Sequence, residues 1–317
     1  MRSAWSSACG RLTRAAKAVR SASAQLSGLR QGMTIGLIPR VDTTGFGARI
    51  DARELVEQDR IELLRLLGEL TPQDWERPTA AAPWVVRNLV AHLLGDDLAR
   101  LARSRDGHRV GTPAPHEEFA AFIHRLNDEW VRAAARLSPQ LLIDMLQATS
   151  PQVLGFWRQA DLDATGEPVS WVSPDPAPVW LDCARDFTEY RVHQQQIREA
   201  TGRTVATDRR ALHTVLDTFL RAMPRTLVRQ DRPPGAQLIV TVAEPAGGRW
   251  NWLREGERWC PSNARGGRTT TIAVDHADVL WRLCVRMIEP QEAQQRVRIT
   301  GDHALAAAAL QIVSIIR

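Results

Sequence analysis

Lysine, N-terminal acid, paired cysteines and long apolar runs are what this chain of 317 residues lacks. No apolar run approaches the roughly 20 residues that cross a bilayer, so a membrane-spanning helix is not expected. The four cysteines, Cys9, Cys183, Cys260 and Cys284, form no C-x-x-C pair and no zinc-finger spacing. Scattered in this way they suit a reduced cytoplasm and not a disulfide framework. Residues 1–41 hold six Arg and Lys17, the only lysine, and neither Asp nor Glu. Taking these seven from the 41 basic residues leaves 34 against 36 acidic ones, a net charge of −2 beyond residue 41 against +5 for the whole chain. The basic balance therefore belongs to the N-terminal stretch. That removes the compositional argument for a nucleic-acid partner.

What remains is ample for folding. Hydrophobic residues make up 44% and charged residues 24%, which supplies a core and excludes a disordered chain. The length fits two domains better than one, and no internal repeat is present. Residues 1–32 are rich in Ala, Ser and Arg, like a transit peptide. Leu12, Ala15, Ala16 and Val19 would also give a basic amphipathic helix one apolar side. The simplest reading makes Met33 the true start and residues 1–40 a basic leader outside the fold.

Apolar periodicity predicts helices over 50–70, 84–105, 116–137, from Pro139 toward Trp157, and over 179–200. Ser138-Pro139 starts the fourth and Gly202 stops the fifth. The proline-rich stretch 161–178 is a long loop of the kind that borders sites. A further helix or helix pair runs over 207–229, interrupted near Pro224. From Gly235 the texture changes to β-branched alternation. Strands are expected at 237–242, 269–274 and 296–300, a hairpin over 248–260, and helices at 277–287 and 303–316. The fold class is α+β: a helical body over 41–205, connecting helices over 206–234, and a small α/β domain over 235–317.

Glu189 and His193 stand four apart on the fifth helix, and that spacing stacks them on one face. A carboxylate and an imidazole so placed hold a divalent metal once a third ligand joins them. His92 is the best-placed third. It continues the stripe Val85, Leu89, His92 and Asp96 and so points inward. The plain alternatives stand beside this reading. A Glu–His pair at this spacing also occurs on solvated faces, and an inward histidine is more often a hydrogen-bonded core residue. Asp182, Asp186, Glu189 and His193 form a polar stripe that either faces water or makes a seam inside a bundle. His108, His116 and His124 read as solvated. His213, His276 and His303 have no partner at ligand spacing.

Trp84-Val85-Val86-Arg87-Asn88-Leu89-Val90-Ala91-His92-Leu93 resembles the first metal segment of the mycothiol-dependent maleylpyruvate isomerase family. Glu189-x-x-x-His193, followed by Gln194 and Ile197-Arg198, resembles its second. The family is a branch of the DinB/YfiT-like helical bundles, and the resemblance covers about residues 45–205. It implies a four-helix bundle with extra helices and a zinc site of His92, Glu189 and His193. It also implies mycothiol as cosubstrate and a small electrophile as substrate. In the family's named reaction a thiolate adds to a conjugated double bond, the single bond rotates, and elimination leaves the trans isomer. Val297 to Leu305 is similar to the family's sterol-carrier-like C-terminal domain. The chain departs from the pattern at Ala81-Ala82-Pro83, where members often have Cys-Pro-Gly. Asn88 and Gln196 replace acidic positions, and Arg191 replaces a tryptophan. Two other readings compete. One is a structural metal site closed by Asp96 or Asp186. The other is a lipid or small-molecule carrier built on the C-terminal domain.

The leader reading has a direct check. A chain beginning at Met33 is expected to match the full chain in thermal midpoint and metal content. A clear drop in either would make residues 1–32 part of the fold.

Overall fold

The computed structural model describes residues 44–109, 111–204, 208–243 and 246–314. The reading of residues 1–40 as a leader lies outside them. Among the described residues, the elements up to residue 226 are helices joined by loops, and a small five-stranded sheet with short helices follows. The helices are α1 (Arg53–Gly68), α2 (Val86–Arg100), α3 (Phe119–Ala134), α4 (Pro139–Gln159), α5 (Val179–Ala200), α6 (Arg209–Phe219) and the single turn α7 (Met223–Thr226). A π-helical turn, Leu101–Arg105, continues α2.

The local signals act as physics requires. Ser138 Oγ accepts from the Leu141 amide at 3.2 Å, and Pro139 occupies the first turn, where its missing N–H costs nothing. Gly202 has φ +67° after α5. Its N–H reaches the Glu199 carbonyl at 3.1 Å, and the Arg203 N–H reaches the Arg198 carbonyl at 2.8 Å. These two bonds make a Schellman stop. Gly95 on α2 lets the Trp130 ring of α3 sit where a Cβ would be, only 2.5 Å from it. Trp130 Nε1 then donates to the Ala91 carbonyl at 2.7 Å.

The sheet has the order β3-β2-β1-β4-β5, from β1 (Ala236–Val242), β2 (Gly248–Glu255), β3 (Arg258–Pro261), β4 (Arg268–Val274) and β5 (Arg298–Thr300). β1 pairs in parallel with β4, and its other partner β2 is antiparallel. The helices after residue 274 are α8 (Ala277–Cys284), α9 (Pro290–Gln295) and α10 (His303–Ala309). Here the periodicity overreached. α8 stops before residue 287, where Arg286 turns to φ +56°. α9 is a helix where the sequence reading has none, and α10 is shorter than expected. One hydrophobic core runs from Trp157 and Trp180 of the helices through Phe219 to Leu238, Ile272 and Leu280 around the sheet.

α1, α2, α4 and α5 also bury charge among themselves. The polar stripe of α5 faces inward: Asp186 and His193 are buried, and Asp182 and Glu189 nearly so. Arg60 clasps Asp97 with two hydrogen bonds, at 2.7 and 3.0 Å, and their side chains are 2% and 1% exposed. Thr149 and Tyr190 donate to the same carboxylate. Arg191 reaches Asp59 at 2.9 Å, and Arg100 reaches Asp182 at 2.5 Å and Asp186 at 3.2 Å. Burial raises the Asp182 carboxyl, and Arg100 and Arg185 outweigh it, holding the group well below the usual carboxylate range. Removing one partner of such a pair strands a buried charge, at a cost of about 3–5 kcal/mol. Arg60→Ala is therefore expected to lose about that much stability in urea unfolding. A loss below about 1 kcal/mol would place the pair with the exposed ones, which contribute little.

Candidate metal centre

α2 supplies His92, and α5 supplies Glu189 and His193 one turn apart. One ligating atom from each lies within 4.8 Å of the others. Glu189 Oε1 is 3.4 Å from His92 Nε2 and 3.5 Å from His193 Nε2. The two imidazoles meet edge to face, centroids 5.0 Å apart, and Trp84 covers His92 at 5.1 Å. The histidine side chains are 5% and 9% exposed, and those of Glu189 and Asp96 are 23% and 29% exposed. The site is thus walled by its imidazoles and opens over its carboxylates.

His193 is oriented from behind. Its Nδ1 lies 2.7 Å from Gln196 Oε1, an oxygen that only accepts, so Nδ1–H donates and Nε2 faces Glu189. The Gln196 amide in turn contacts Met287 Sδ at 3.6 Å. Asp96 Oδ2 stands 3.4 Å from His92 Nε2. Burial lowers the His92 imidazole, and Asp96 and Glu189 outweigh it, raising the group to about 9. Burial pushes the Asp96 carboxyl up to about 6 against the pull of His92. For Glu189, burial is outweighed by the contacts with His193 and His92, which hold it well below the usual carboxylate range. The cluster draws positive charge, for which a proton on His92 and a divalent cation would compete.

The donor set fits such a cation. Two imidazoles and a carboxylate suit zinc and other first-row ions. Bonds of about 2.0–2.1 Å in a tetrahedron put ligand atoms about 3.3–3.4 Å apart, which is the spacing around Glu189 Oε1. The other candidates are excluded by their surroundings. Asp186 accepts from Trp157 Nε1 at 2.9 Å and from Arg100. Cys183 is fully buried, and burial pushes its thiol far above the usual range. Burial likewise pushes the Cys284 thiol up to about 12.

Sequence reasoning treated Gln196 only as a departure, although His193 and Gln196 at i,i+3 share a helix face. Met287 carried no local signal, being 91 residues from Gln196. His124 corrects an expectation: its Nε2 is buried without a hydrogen-bond partner and is not solvated.

These features define a helical domain that gathers a His-Glu-His cluster from two helices. Residues 56–198, which contain the whole cluster, match the family model described as the mycothiol maleylpyruvate isomerase N-terminal domain. The match spans residues 56–198 of the 317, a little under half of the chain. Among solved structures, a mycothiol-dependent maleylpyruvate isomerase is similar at 14% identity and TM-score 0.47, over 78% of this chain and 91% of that one. A point mutant of the isomerase is similar at 13% identity, with the same coverage and TM-score. The colibactin self-resistance protein ClbS, in complex with a dsDNA, is similar at 15% identity and TM-score 0.37, over 47% of this chain and 91% of that one. No curated protein matches.

Loss of an outer hydrogen-bond partner of a metal-bound histidine lowers metal affinity by about 10–100-fold. Gln196→Ala is expected to weaken zinc binding by that factor in chelator competition. Unchanged affinity would mean that Gln196 does not orient His193.

Proposed function

We propose that this protein is a metal-dependent isomerase or S-transferase that uses mycothiol as cosubstrate, with zinc held by His92, Glu189 and His193. The observation that carries this reading is the convergence of these three side chains inside the segment that matches the isomerase family. Bound there, the metal supplies a Lewis-acidic position at which a thiol loses its proton at neutral pH. The chain's own groups do the rest. His92 and Glu189 bring donor atoms from two helices, Gln196 fixes the His193 tautomer, and Trp84 shields His92 from water. The opening over the carboxylates gives the cosubstrate its approach.

The wider organisation follows the same reading. Residues 41–205 form a DinB-like four-helix bundle with extra helices, 206–234 connect, and 235–317 form a sterol-carrier-like domain. The site is cytoplasmic and its partners are small molecules. The net charge of −2 beyond residue 41 speaks against a nucleic-acid partner, and no described helix is long and apolar enough to cross a membrane. A structural metal site is the second reading, favoured by the nearness of Asp96 to His92.

Cobalt substitution separates the two. Mycothiol added to the cobalt protein is expected to produce a thiolate charge-transfer band. Cys183→Ser should leave the band unchanged, because that thiol is buried and protonated. His193→Ala should abolish it, because losing a metal-bound imidazole weakens the site. Bound cobalt whose spectrum ignores the thiol would overturn the transferase reading in favour of the structural one.

A further inference from the structure

His92 Nε2 meets two carboxylates and not one. Glu189 Oε1 and Asp96 Oδ2 each lie 3.4 Å from it. Asp96 follows His92 by four residues on α2, so the helix itself keeps both side chains on one face. The distance again equals the edge of a tetrahedron with bonds of about 2.0–2.1 Å. Charge points the same way. With both imidazoles deprotonated, as a metal would need them, the two carboxylates sum to −2, which one divalent ion would cancel. The buried carboxylates of Asp59, Asp97 and Asp186 each have a guanidinium partner. Among the described residues, Glu189 and Asp96 pair with imidazole only. Both are half-buried, and a carboxylate partly out of water is stabilised by a cation beside it.

Asp96 is also set apart from the other three. It lies outside the group that closes to within 4.8 Å, and the cluster atom it stands beside is His92 Nε2. Its side chain, 29% exposed, is the most open of the four. A ligand on the rim with solvent behind it exchanges more readily than one walled in.

We infer that Asp96 is a fourth, exchangeable ligand of the metal, making the set two histidines and two carboxylates. The inference rests on the reading of His92, Glu189 and His193 as metal ligands. On this assignment an incoming thiol replaces the Asp96 carboxylate and leaves both imidazoles in place, its proton passing to solvent. A second carboxylate also hardens the site, so manganese and iron compete with zinc better than at a two-histidine, one-carboxylate site.

The test measures metal affinity and the cobalt spectrum of the full chain, without an activity assay. Asp96→Asn is isosteric, and Asp96→Ala guards against the Asn amide oxygen acting as a substitute donor. Both are expected to weaken zinc binding at least about tenfold in chelator competition and to shift the visible cobalt bands. In cobalt-loaded Asp96→Ala, 2-mercaptoethanol should develop its charge-transfer band at about tenfold lower concentration than in the wild type, because no carboxylate has to leave. Wild-type affinity and unchanged cobalt bands in both variants would overturn the assignment. So would equal thiol concentrations in wild type and variant. Glu189→Gln separates this failure from a deeper one. If it loses the metal while the Asp96 variants keep it, only the fourth ligand is wrong. If Glu189→Gln and wild type bind equally weakly, the three-ligand reading fails with it.

Discussion

The helical half depends on how α5 neutralises the carboxylates that it buries. Asp182, Asp186 and Glu189 lie along one face of this helix, and Asp59, Asp96 and Asp97 approach from α1 and α2. A carboxylate taken out of water survives as an anion only beside a cation or several donors. Arginine answers for most of them. Arg60 takes Asp97, Arg191 takes Asp59, and Arg100 takes Asp182 and Asp186 while stacking on Trp157 at 4.7 Å. The arrangement stops at Glu189 and Asp96, where only imidazoles stand opposite. Along a seam otherwise balanced by guanidinium groups, that is the place where a proton on His92, or the proposed metal, would supply the missing positive charge.

Part of this was legible in the sequence and part was not, for a physical reason. Periodicity assigns a residue to a face, so the inward aim of His92 and the shared face of Glu189 and His193 followed from spacing. Ser138, Pro139 and Gly202 marked helix ends correctly because capping is local. Periodicity does not say what covers a face. The stripe of α5 therefore read equally as solvated or as a seam. The deciding partners, Arg60, Arg100 and Asp59, lie 82 to 132 residues from the residues of α5 that they serve, Asp97 of α2 lying between them. In the C-terminal part the ends of α8 and α10 were misjudged, because tertiary contacts end those helices. Ser314 N–H, for example, bonds the Cys284 carbonyl at 2.9 Å.

The departures from the family pattern have different weights. Arg191, where a tryptophan is common, is spent on Asp59 and on Glu62 at 3.3 Å. It therefore belongs to the charge balance of the seam and not to the site. Gln196 matters more. A carboxylate behind an imidazole makes the ring more basic and a stronger metal donor. A neutral amide at the same place holds the ring's tautomer without that gain in donor strength. The proposed metal would then stay more electron-poor, and a second carboxylate at Asp96 is a natural counterweight.

The sheet is not a bystander to this balance. It shares a hydrophobic core with α4, α5 and α6, so it cannot shift as an independent body without opening apolar surface. Two contacts carry that constraint to the cluster. Arg282 of α8 pairs with Glu199 near the end of α5. Met287, just beyond α8, touches the amide nitrogen of Gln196, whose oxygen holds His193. If Met287 withdrew, the amide would be free to rotate, and an amide turned end for end would present N–H to the Nδ1 of His193. The imidazole would then have to take the other tautomer and place its proton on Nε2, the nitrogen aimed at Glu189. A neutral imidazole with its proton on the ligating nitrogen cannot bind a metal there. On the proposed metal-site reading, a thioether from the C-terminal region would thus bear on the site through the amide that orients His193.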